Sequence, residues 1–290
     1  MTQIDDVLAL AVIGRDEAMI TYAATIDPVY TIGPKVHGGS AQMLAANAAH
    51  AAFLEWTGSS APPLIRAGAG DPVPVALTST YLSAPRPDRV ELCARLIKRG
   101  RTVSVVEVDL VQEGRTMIAT TVVFGVLDQG KPHRSAPIPL RDLPPAPTAD
   151  AIYLDHSPMS EIMHLGPVLD YAIDPETFPA AIGGRGEPVI RGWVRPKAGA
   201  AHLPFVTTVC DVSPPVVMNL GIFGWAPTVT LSTYLRRVPA GAPGSWLRVA
   251  NSSIEVGQGM FESDHTVIDS TGVIVGQSRQ LALIPAPAFG

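Results

Sequence analysis

Three polar residues stand inside otherwise apolar segments in the second half of the chain: Asp211, Thr228 and Gln280. Asp211 lies at the end of one apolar run, Thr228 opens another, and Gln280 immediately precedes a third. A buried carboxylate is costly unless it is hydrogen-bonded or used in chemistry. Together with a hydroxyl and an amide, it can bind a water molecule and take a proton from it as general base. Each residue also has a structural interpretation, Asp211 as a solvated helix end and the other two as ordinary strand residues.

Other common catalytic devices are missing from the sequence. It contains no phosphate-binding loop, no dinucleotide-binding glycine motif, no HExxH zinc motif and no GxSxG nucleophile motif. The seven histidines show no metal-ligand spacing, and Cys93 and Cys210 are too far apart to form a CxxC motif. The sequence therefore predicts chemistry that needs neither a metal nor an organic cofactor.

Length and composition limit the class of protein. The 290 residues are enough for about two domains, and the hydrophobic fraction of 47% allows a large core. With 21 Lys and Arg against 26 Asp and Glu, the net charge of −5 argues against a nucleic-acid partner. The chain begins with acidic residues, and the apolar stretch 214–227 is interrupted by proline, asparagine and glycine. We therefore expect a cytoplasmic protein with no signal peptide and no membrane span.

A proline-rich segment divides the chain near its midpoint. Six of the 28 prolines fall between residues 127 and 150. Because proline removes a backbone donor, we expect no helix or strand of more than a few residues over 130–149. We expect an N-terminal unit at 1–127, a linker at 128–165 and a C-terminal unit at 166–290.

The two units share an order of elements. In the first, a strand at 17–26 precedes an alanine-rich helix at 40–56, for which Ser40 is the expected N-cap. In the second, a strand at 189–195 precedes a helix at 201–212. Antiparallel strands follow each helix, with tight glycine-containing turns between several of them. The predicted strands are 73–83, 89–99, 103–111 and 116–126 in the first unit, and 228–237, 245–256, 260–268 and 273–283 in the second.

A repeated string supports an internal duplication. Ser-Thr-Tyr-Leu occurs at 79–82 and again at 232–235, each time in the first strand after the helix. A helix that is apolar on most sides must be covered on most sides, and a long twisted antiparallel sheet can curl around it. These features predict an α+β fold, the double hotdog, with two tandem repeats that each wrap a sheet around a long helix.

The second repeat resembles the C-terminal half of the acyl-CoA thioesterase II-type proteins, which are double-hotdog thioesterases. That family has an Asp at the end of its second long helix, a Ser or Thr at the start of the next strand, and a Gln in its last strand. Here the pattern falls on Asp211, Thr228 and Gln280. In the first repeat, the segment 37–39 (His-Gly-Gly) resembles the Phe-Gly-Gly segment of the family at the start of its first helix.

The resemblance has departures. The strand motif Ser/Thr-Leu/Ile-Asp-His-Ser-x-Trp-Phe-His-Arg falls on 228–237, where Thr230-Leu231 replaces Asp-His and Tyr-Leu-Arg replaces Trp-Phe-His. A sub-branch with a different acyl pocket and a copy with weak or lost activity are both compatible with these changes. A slip of the strand by two residues would keep the same face and present Thr230 or Ser232 instead of Thr228.

The duplication predicts one site per chain. Spacing of the repeats gives the expected first-repeat counterparts: Val75 for Thr228, Val123 for Gln280, and a residue near Asn47 or Ala48 for Asp211. Because the first repeat lacks the polar set, we expect only one of the two equivalent positions to be functional.

The resemblance implies hydrolysis of an acyl-CoA thioester by water that Asp211, Thr228 and Gln280 orient. Gly38 and Gly39 are candidates for the oxyanion site, because glycine allows a close approach to backbone N–H groups. The basic pair at 236–237 is a candidate for binding the phosphates of coenzyme A. A homodimer or higher homo-oligomer is expected. The alternatives are a non-catalytic acyl-ligand binding or interaction module, and an enoyl-CoA hydratase or dehydratase on the same fold.

Overall fold

The computed structural model describes residues 7–138 and 140–285. Helix α1 spans Gly38–Thr57 and helix α2 spans Leu203–Val209. The first half contributes strands β1 (Ala11–Arg15), β2 (Met19–Thr25), β3 (Thr31–Ile32), β4 (Lys35–Val36), β5 (Val73–Tyr81), β6 (Arg89–Lys98), β7 (Ser104–Gln112) and β8 (Arg115–Gly125). The second half contributes β9 (Ile152–Tyr153), β10 (Leu169–Ile173), β11 (Val189–Pro196), β12 (Thr228–Leu235), β13 (Leu247–Ser252), β14 (Met260–Ile268) and β15 (Ile274–Leu283).

One antiparallel sheet of 13 strands runs through both halves in the order β1-β2-β6-β7-β8-β5-β12-β15-β14-β13-β11-β10-β9. The halves meet where β5 pairs with β12, so that Thr78 lies opposite Ser232. From this junction outward, β8, β7, β6 and β2 on one side correspond to β15, β14, β13 and β11 on the other. The sheet packs on α1 in the first half and on α2 in the second, and the two helices contact each other. The predicted duplication of helix and meander is confirmed.

Helix α1 is buried because small alanine side chains let neighbours approach on most sides. Ala46, Ala48 and Ala49 are fully buried. The helix begins at Gly38, two residues before the predicted Ser40, because the His37 ring caps it and accepts a hydrogen bond from the Ser40 N–H at 3.2 Å. The expected N-cap was therefore wrong. The sequence also predicts that His37 packs against or caps the helix entry, and its capping role is confirmed.

Helix α2 has seven residues and is shorter than the predicted helix at 201–212. It starts after His202, whose side chain accepts from the Phe205 N–H at 3.1 Å. Cys210 ends it, and Pro214-Pro215 follow, which cannot continue a helix. The second repeat thus wraps its sheet around about two turns of helix.

The proline-rich segment has neither helix nor strand over 130–149 among its described residues, as predicted. Its Leu140 and Leu143 are buried against the outer face of the second half, next to Trp193. Arg248 donates to the Leu143 carbonyl oxygen at 2.8 Å. Five short strands were not predicted, namely β1, β3, β4, β9 and β10. Within the described ranges, no helix has the length and apolar character needed to cross a membrane.

Strand register fixes which residues of the repeats are equivalent. Both β5 and β12 contain a bulge, at Val75 and at Val229, and the strands align when these bulges coincide. Thr228 is therefore equivalent to Pro74, one residue from the predicted Val75.

The other two counterparts follow from the same alignment. The cross-strand pairs of β15 match those of β8 when Gln280 corresponds to Val122, one residue from the predicted Val123. The histidine caps of α1 and α2 align when Asp211 corresponds to Ala46, close to the expected Asn47 or Ala48. The first repeat carries no polar set at these positions.

Candidate active site

A cavity of about 680 Å³ lies at the junction of the two repeats. The start of α1 and the end of β5 form part of its wall, and the segment after α2 and the ends of β12 and β15 form another part. Asp211, Thr228, Gln280 and Gly38 all line it. The structure thus brings the three polar residues of the second repeat to one place, beside the helix start of the first.

The Asp211 carboxylate is buried and held by the first repeat. Its side chain is 8% exposed, and Oδ2 accepts a hydrogen bond from the Gly39 N–H at 2.7 Å. Burial raises the pKa of Asp211, while the facing His37 ring and the Gly39 N–H partly offset that increase. The positive end of the α1 dipole also faces this carboxylate. The result is a carboxylate that is ordered but a stronger base than one in water.

His37 connects the helix start to Asp211. Its Nδ1 accepts from the Ser40 N–H, so the other ring nitrogen, Nε2, carries a proton. Nε2 donates to the Asp211 backbone oxygen at 2.8 Å and lies 3.5 Å from Oδ2. The ring therefore orients Asp211 through both its main chain and its side chain.

Gly38 and Gly39 are required by close approach. A Cβ on Gly39 would lie 2.8 Å from the Asp211 Cβ and from the Thr208 oxygen, and one on Gly38 would lie 2.7 Å from Asp211 Oδ2. The Gly39 N–H is bonded to Asp211, so it is already used. Among the described residues, the Gly38 N–H has no hydrogen-bond acceptor, and Gly38 lines the cavity. The two glycines therefore differ: the Gly39 N–H is bonded to Asp211, and of the two only the Gly38 N–H is left without an acceptor.

Thr228 and Gln280 form a directed hydrogen-bond chain on the cavity wall. Thr228 Oγ1 donates to Gln280 Oε1 at 3.0 Å, and Gln280 Nε2 donates to Ser263 Oγ at 3.0 Å. Because the Thr228 hydroxyl uses its only proton in this way, its oxygen presents lone pairs to the cavity. Thr228 can thus accept a hydrogen bond from a bound water.

The bulge at Val229 decides which hydroxyl of β12 reaches the cavity. It interrupts the alternation of faces between Thr228 and Thr230. Beyond it, Leu231 and Thr233 are buried, whereas Thr230 and Ser232 lie on the opposite face. Ser232 contacts Thr78 there instead. The alternative in which a slip by two residues presents Thr230 or Ser232 is therefore wrong, because the faces do not simply alternate.

The rest of the cavity is largely apolar and comes from irregular segments. Met159, Ile162 and Met163 belong to the segment that joins the halves, and Phe223 and Trp225 precede β12. Such a surface suits an apolar chain rather than a charged ligand. Sequence reasoning missed these residues because they share no periodicity. His37 caps α1 and also contacts Asp211, so it belongs to the site as well.

Arg236 and Arg237 lie away from the cavity. They follow the last residue of β12, while Thr228 is its first, and strands rise about 3.3 Å per residue. Arg236 forms an ion pair with Asp128, and neither arginine lines the cavity. The expectation that this pair binds the phosphates of coenzyme A stays a prediction, because those phosphates lie far from the thioester. Within 7–138 and 140–285, no group of three or more His, Cys, Asp or Glu is placed to hold a metal ion.

Solved structures of similar proteins identify the fold. A protein assigned as thioesterase II from Thermobifida fusca has a TM-score of 0.78 and 27% identity, covering 97% of both chains. A protein of unknown function with a hot dog fold from Alicyclobacillus acidocaldarius has a TM-score of 0.74 and 20% identity, covering 98% of both. The chain thus has the double hotdog fold, and its cavity lies between the two hotdog units.

The sequence identifies the family within this fold. Residues 26–125 match the acyl-CoA thioesterase N-terminal domain, and residues 140–284 match the acyl-CoA thioesterase C-terminal domain. Uncharacterized proteins of Mycobacterium tuberculosis and Mycobacterium bovis are 37% identical over 271 residues, which cover 89% of this chain and 88% of each relative. The chain belongs to the acyl-CoA thioesterase family, which confirms the resemblance noted from its motifs.

Proposed function

We propose that this protein hydrolyses acyl-CoA thioesters to a free acid and coenzyme A, with Asp211 as general base. The observation that carries the proposal is the buried Asp211 carboxylate, which the Gly39 N–H fixes in the same cavity as the Thr228–Gln280 pair. Family membership supports thioester hydrolysis in general. The catalytic roles of Asp211, Thr228 and Gln280 and the choice of acyl-CoA as substrate belong to the proposal.

The hydrolytic water is held by two acceptors. One of its protons points to the Asp211 carboxylate, and the other points to the Thr228 oxygen, whose own proton goes to Gln280. A lone pair of the water oxygen is then directed at the thioester carbon. The raised pKa of Asp211 makes it a better proton acceptor, which favours general-base catalysis near neutral pH.

The reaction then follows from the groups around this water. As the new C–O bond forms, Asp211 takes a proton and the thioester oxygen becomes an oxyanion. The Gly38 N–H at the start of α1 stabilises that charge. Collapse of the intermediate breaks the C–S bond, and the proton on Asp211 passes to the thiolate of coenzyme A. The apolar surface around Met159 and Trp225 binds the acyl chain.

Release of free thiol from a panel of acyl-CoAs tests the proposal directly. Asp211→Asn keeps the shape of the side chain but removes the base, so kcat should fall by about 10²-fold or more. The melting temperature should stay the same or rise, because a buried amide is less costly than a buried carboxylate. Asp128→Asn is the matched control, since this exposed carboxylate lies outside the cavity, and it should keep normal turnover.

Other outcomes separate the alternatives. Normal turnover by folded Asp211→Asn would show that Asp211 is not the base. If the wild-type protein binds acyl-CoA but releases no thiol, the non-catalytic acyl-ligand binding module is favoured. Hydration of an enoyl-CoA without thiol release would favour the hydratase.

A further inference from the structure

A buried polar row lies behind Gln280, on the inner face of the second repeat. Asn251 of β13, His265 of β14 and Ser278 of β15 stand opposite one another on neighbouring strands. Asn251 and His265 are each 1% exposed. Both polar side-chain atoms of Asn251 and both ring nitrogens of His265 have no hydrogen-bond partner in the described part of the chain. Four such atoms in one place are unusual, because buried polar groups are nearly always paired.

The fold does not require this polarity. The same register in the first repeat places Ala94 of β6, Val108 of β7 and Thr120 of β8 in the equivalent row. Ala94 and Val108 are fully buried and apolar there. A buried unpaired polar group lowers stability, so Asn251 and His265 need a reason other than packing.

The next row along the sheet supplies that reason. Ser263 pairs with Gln280 across β14 and β15, two residues from His265 on the same face. Ser263 Oγ accepts from Gln280 Nε2, and among the described residues its own proton has no acceptor. Residues two apart on one face of a strand have Cα atoms about 6.6 Å apart, and no direct hydrogen bond joins His265 to Ser263. A bridging water links two polar groups over a distance at which a direct hydrogen bond does not form.

We propose that Asn251 and His265 bind an internal water that accepts the Ser263 hydroxyl proton, and that this water positions Gln280 through Ser263. A buried water typically makes about three hydrogen bonds to otherwise unpaired polar groups, and Asn251, His265 and Ser263 together offer that number. Burial lowers the pKa of His265 to about 3, so the ring stays neutral and provides one donor and one acceptor. The inference rests on the proposed function only in that Gln280 orients the Thr228 hydroxyl.

The test transfers the first-repeat row into the second. The double variant Asn251→Ala with His265→Val introduces the residues that occupy this row in the first repeat. With Gln280 no longer fixed, kcat for thiol release should fall about 10-fold, while KM changes less than twofold because the acyl surface is untouched. The single variant His265→Gln keeps a donor and an acceptor at this position. Unlike the double variant, it should retain most of the wild-type kcat.

A control separates positioning from lost stability. Val267 is buried on the same face of β14, one row further from Gln280, and Val267→Ala should lower the melting temperature without lowering kcat. A crystal structure of the wild-type protein should show an ordered water within hydrogen-bond distance of His265 and Ser263.

Two results would overturn the inference, and neither depends on Asp211. One is wild-type kcat in the folded double variant. The other is a crystal structure in which Asn251 and His265 bond directly to each other with no water beside Ser263. If the wild-type protein releases no thiol at all, the proposed function fails, and the crystallographic test of the water site still stands.

Discussion

The two repeats share strand order, register and even the position of a bulge, yet among the described residues only one combination of their parts forms the candidate site. The first repeat supplies a helix that starts with two glycines, and the second supplies the polar side chains that face it. The reverse combination, in which the start of α2 would face polar side chains of the first repeat, cannot form the same site. At the start of α2, Leu203 and Pro204 stand where α1 has Gly38 and Gly39, and proline has no N–H to hold a carboxylate.

The difference shows that the two repeats of a duplicated fold can contribute different parts to one site. A sheet position tolerates either a polar or an apolar residue as long as the row is filled, as the equivalent pairs Val122 and Gln280 show. A close backbone approach tolerates only glycine. The reverse combination therefore lacks both the glycines and the polar set, while the fold is the same.

The largest expected effect comes from placing a carboxylate at the equivalent helix position of the first repeat. Ala46→Asp should create no second activity, because Pro204 cannot donate to it, and the buried charge should lower the free energy of unfolding by about 3–5 kcal/mol. Denaturant unfolding measures this loss. Ala51→Asp on the half-buried side of the same helix is the control and should cost much less. Binding of two acyl-CoA molecules per chain in the Ala46 variant would contradict the comparison.

The next effect concerns the glycine that distinguishes the helix starts. Gly39→Ala introduces a Cβ within 2.8 Å of Asp211 Cβ, so the carboxylate must shift and kcat should fall about 10²-fold. Pro204→Ala changes the equivalent position of α2 and should leave kcat within twofold. Steady-state thiol release measures both variants. An equal loss of kcat in Gly39→Ala and Pro204→Ala would mean that the starts of α1 and α2 contribute equally to turnover.

A smaller effect is expected across the bulge of β12. Thr228→Val removes the oxygen that accepts from the hydrolytic water, and kcat should fall about 10-fold, as for one lost hydrogen bond of about 1.4 kcal/mol. Thr230→Val lies on the opposite face and should have little effect. Combined with Asp211→Asn, the Thr228 loss should be less than additive, because both residues act on one water. Full additivity would argue against a shared water.

The subtlest effect is the pH dependence that Asp211 imparts. Its folded-state pKa is raised by burial, so between the ordinary value and the raised value the folded chain holds a proton that the unfolded chain has lost. The contribution of Asp211 to the free energy of unfolding therefore falls as the pH rises through that window. Asp211→Asn removes this contribution, and its melting temperature relative to wild type should increase with pH. If the difference in melting temperature between Asp211→Asn and wild type is the same at every pH, burial does not raise the pKa of Asp211.

Much of the architecture followed from local pattern. Strand segments separated by tight glycine-containing turns located the four antiparallel strands that follow each helix, and the apolar helix at 40–56 needed a wrapping sheet. The same pattern failed where tertiary contacts replace local signals. The second helix was predicted too long, and the short strands β1, β3, β4, β9 and β10 were missed, because short elements are stabilised mainly by their neighbours.

The sequence by itself determined which side chains are available: a carboxylate, a hydroxyl and an amide in apolar surroundings, and two glycines at a helix start. Only the tertiary structure decided how they act together. Gly39 and Asp211 are 172 positions apart, and their hydrogen bond exists because α1 and α2 cross closely enough to exclude a Cβ. The bulge at Val229 likewise selects Thr228 over Thr230. Such choices depend on distances between distant segments, which packing sets and local residue preferences do not encode.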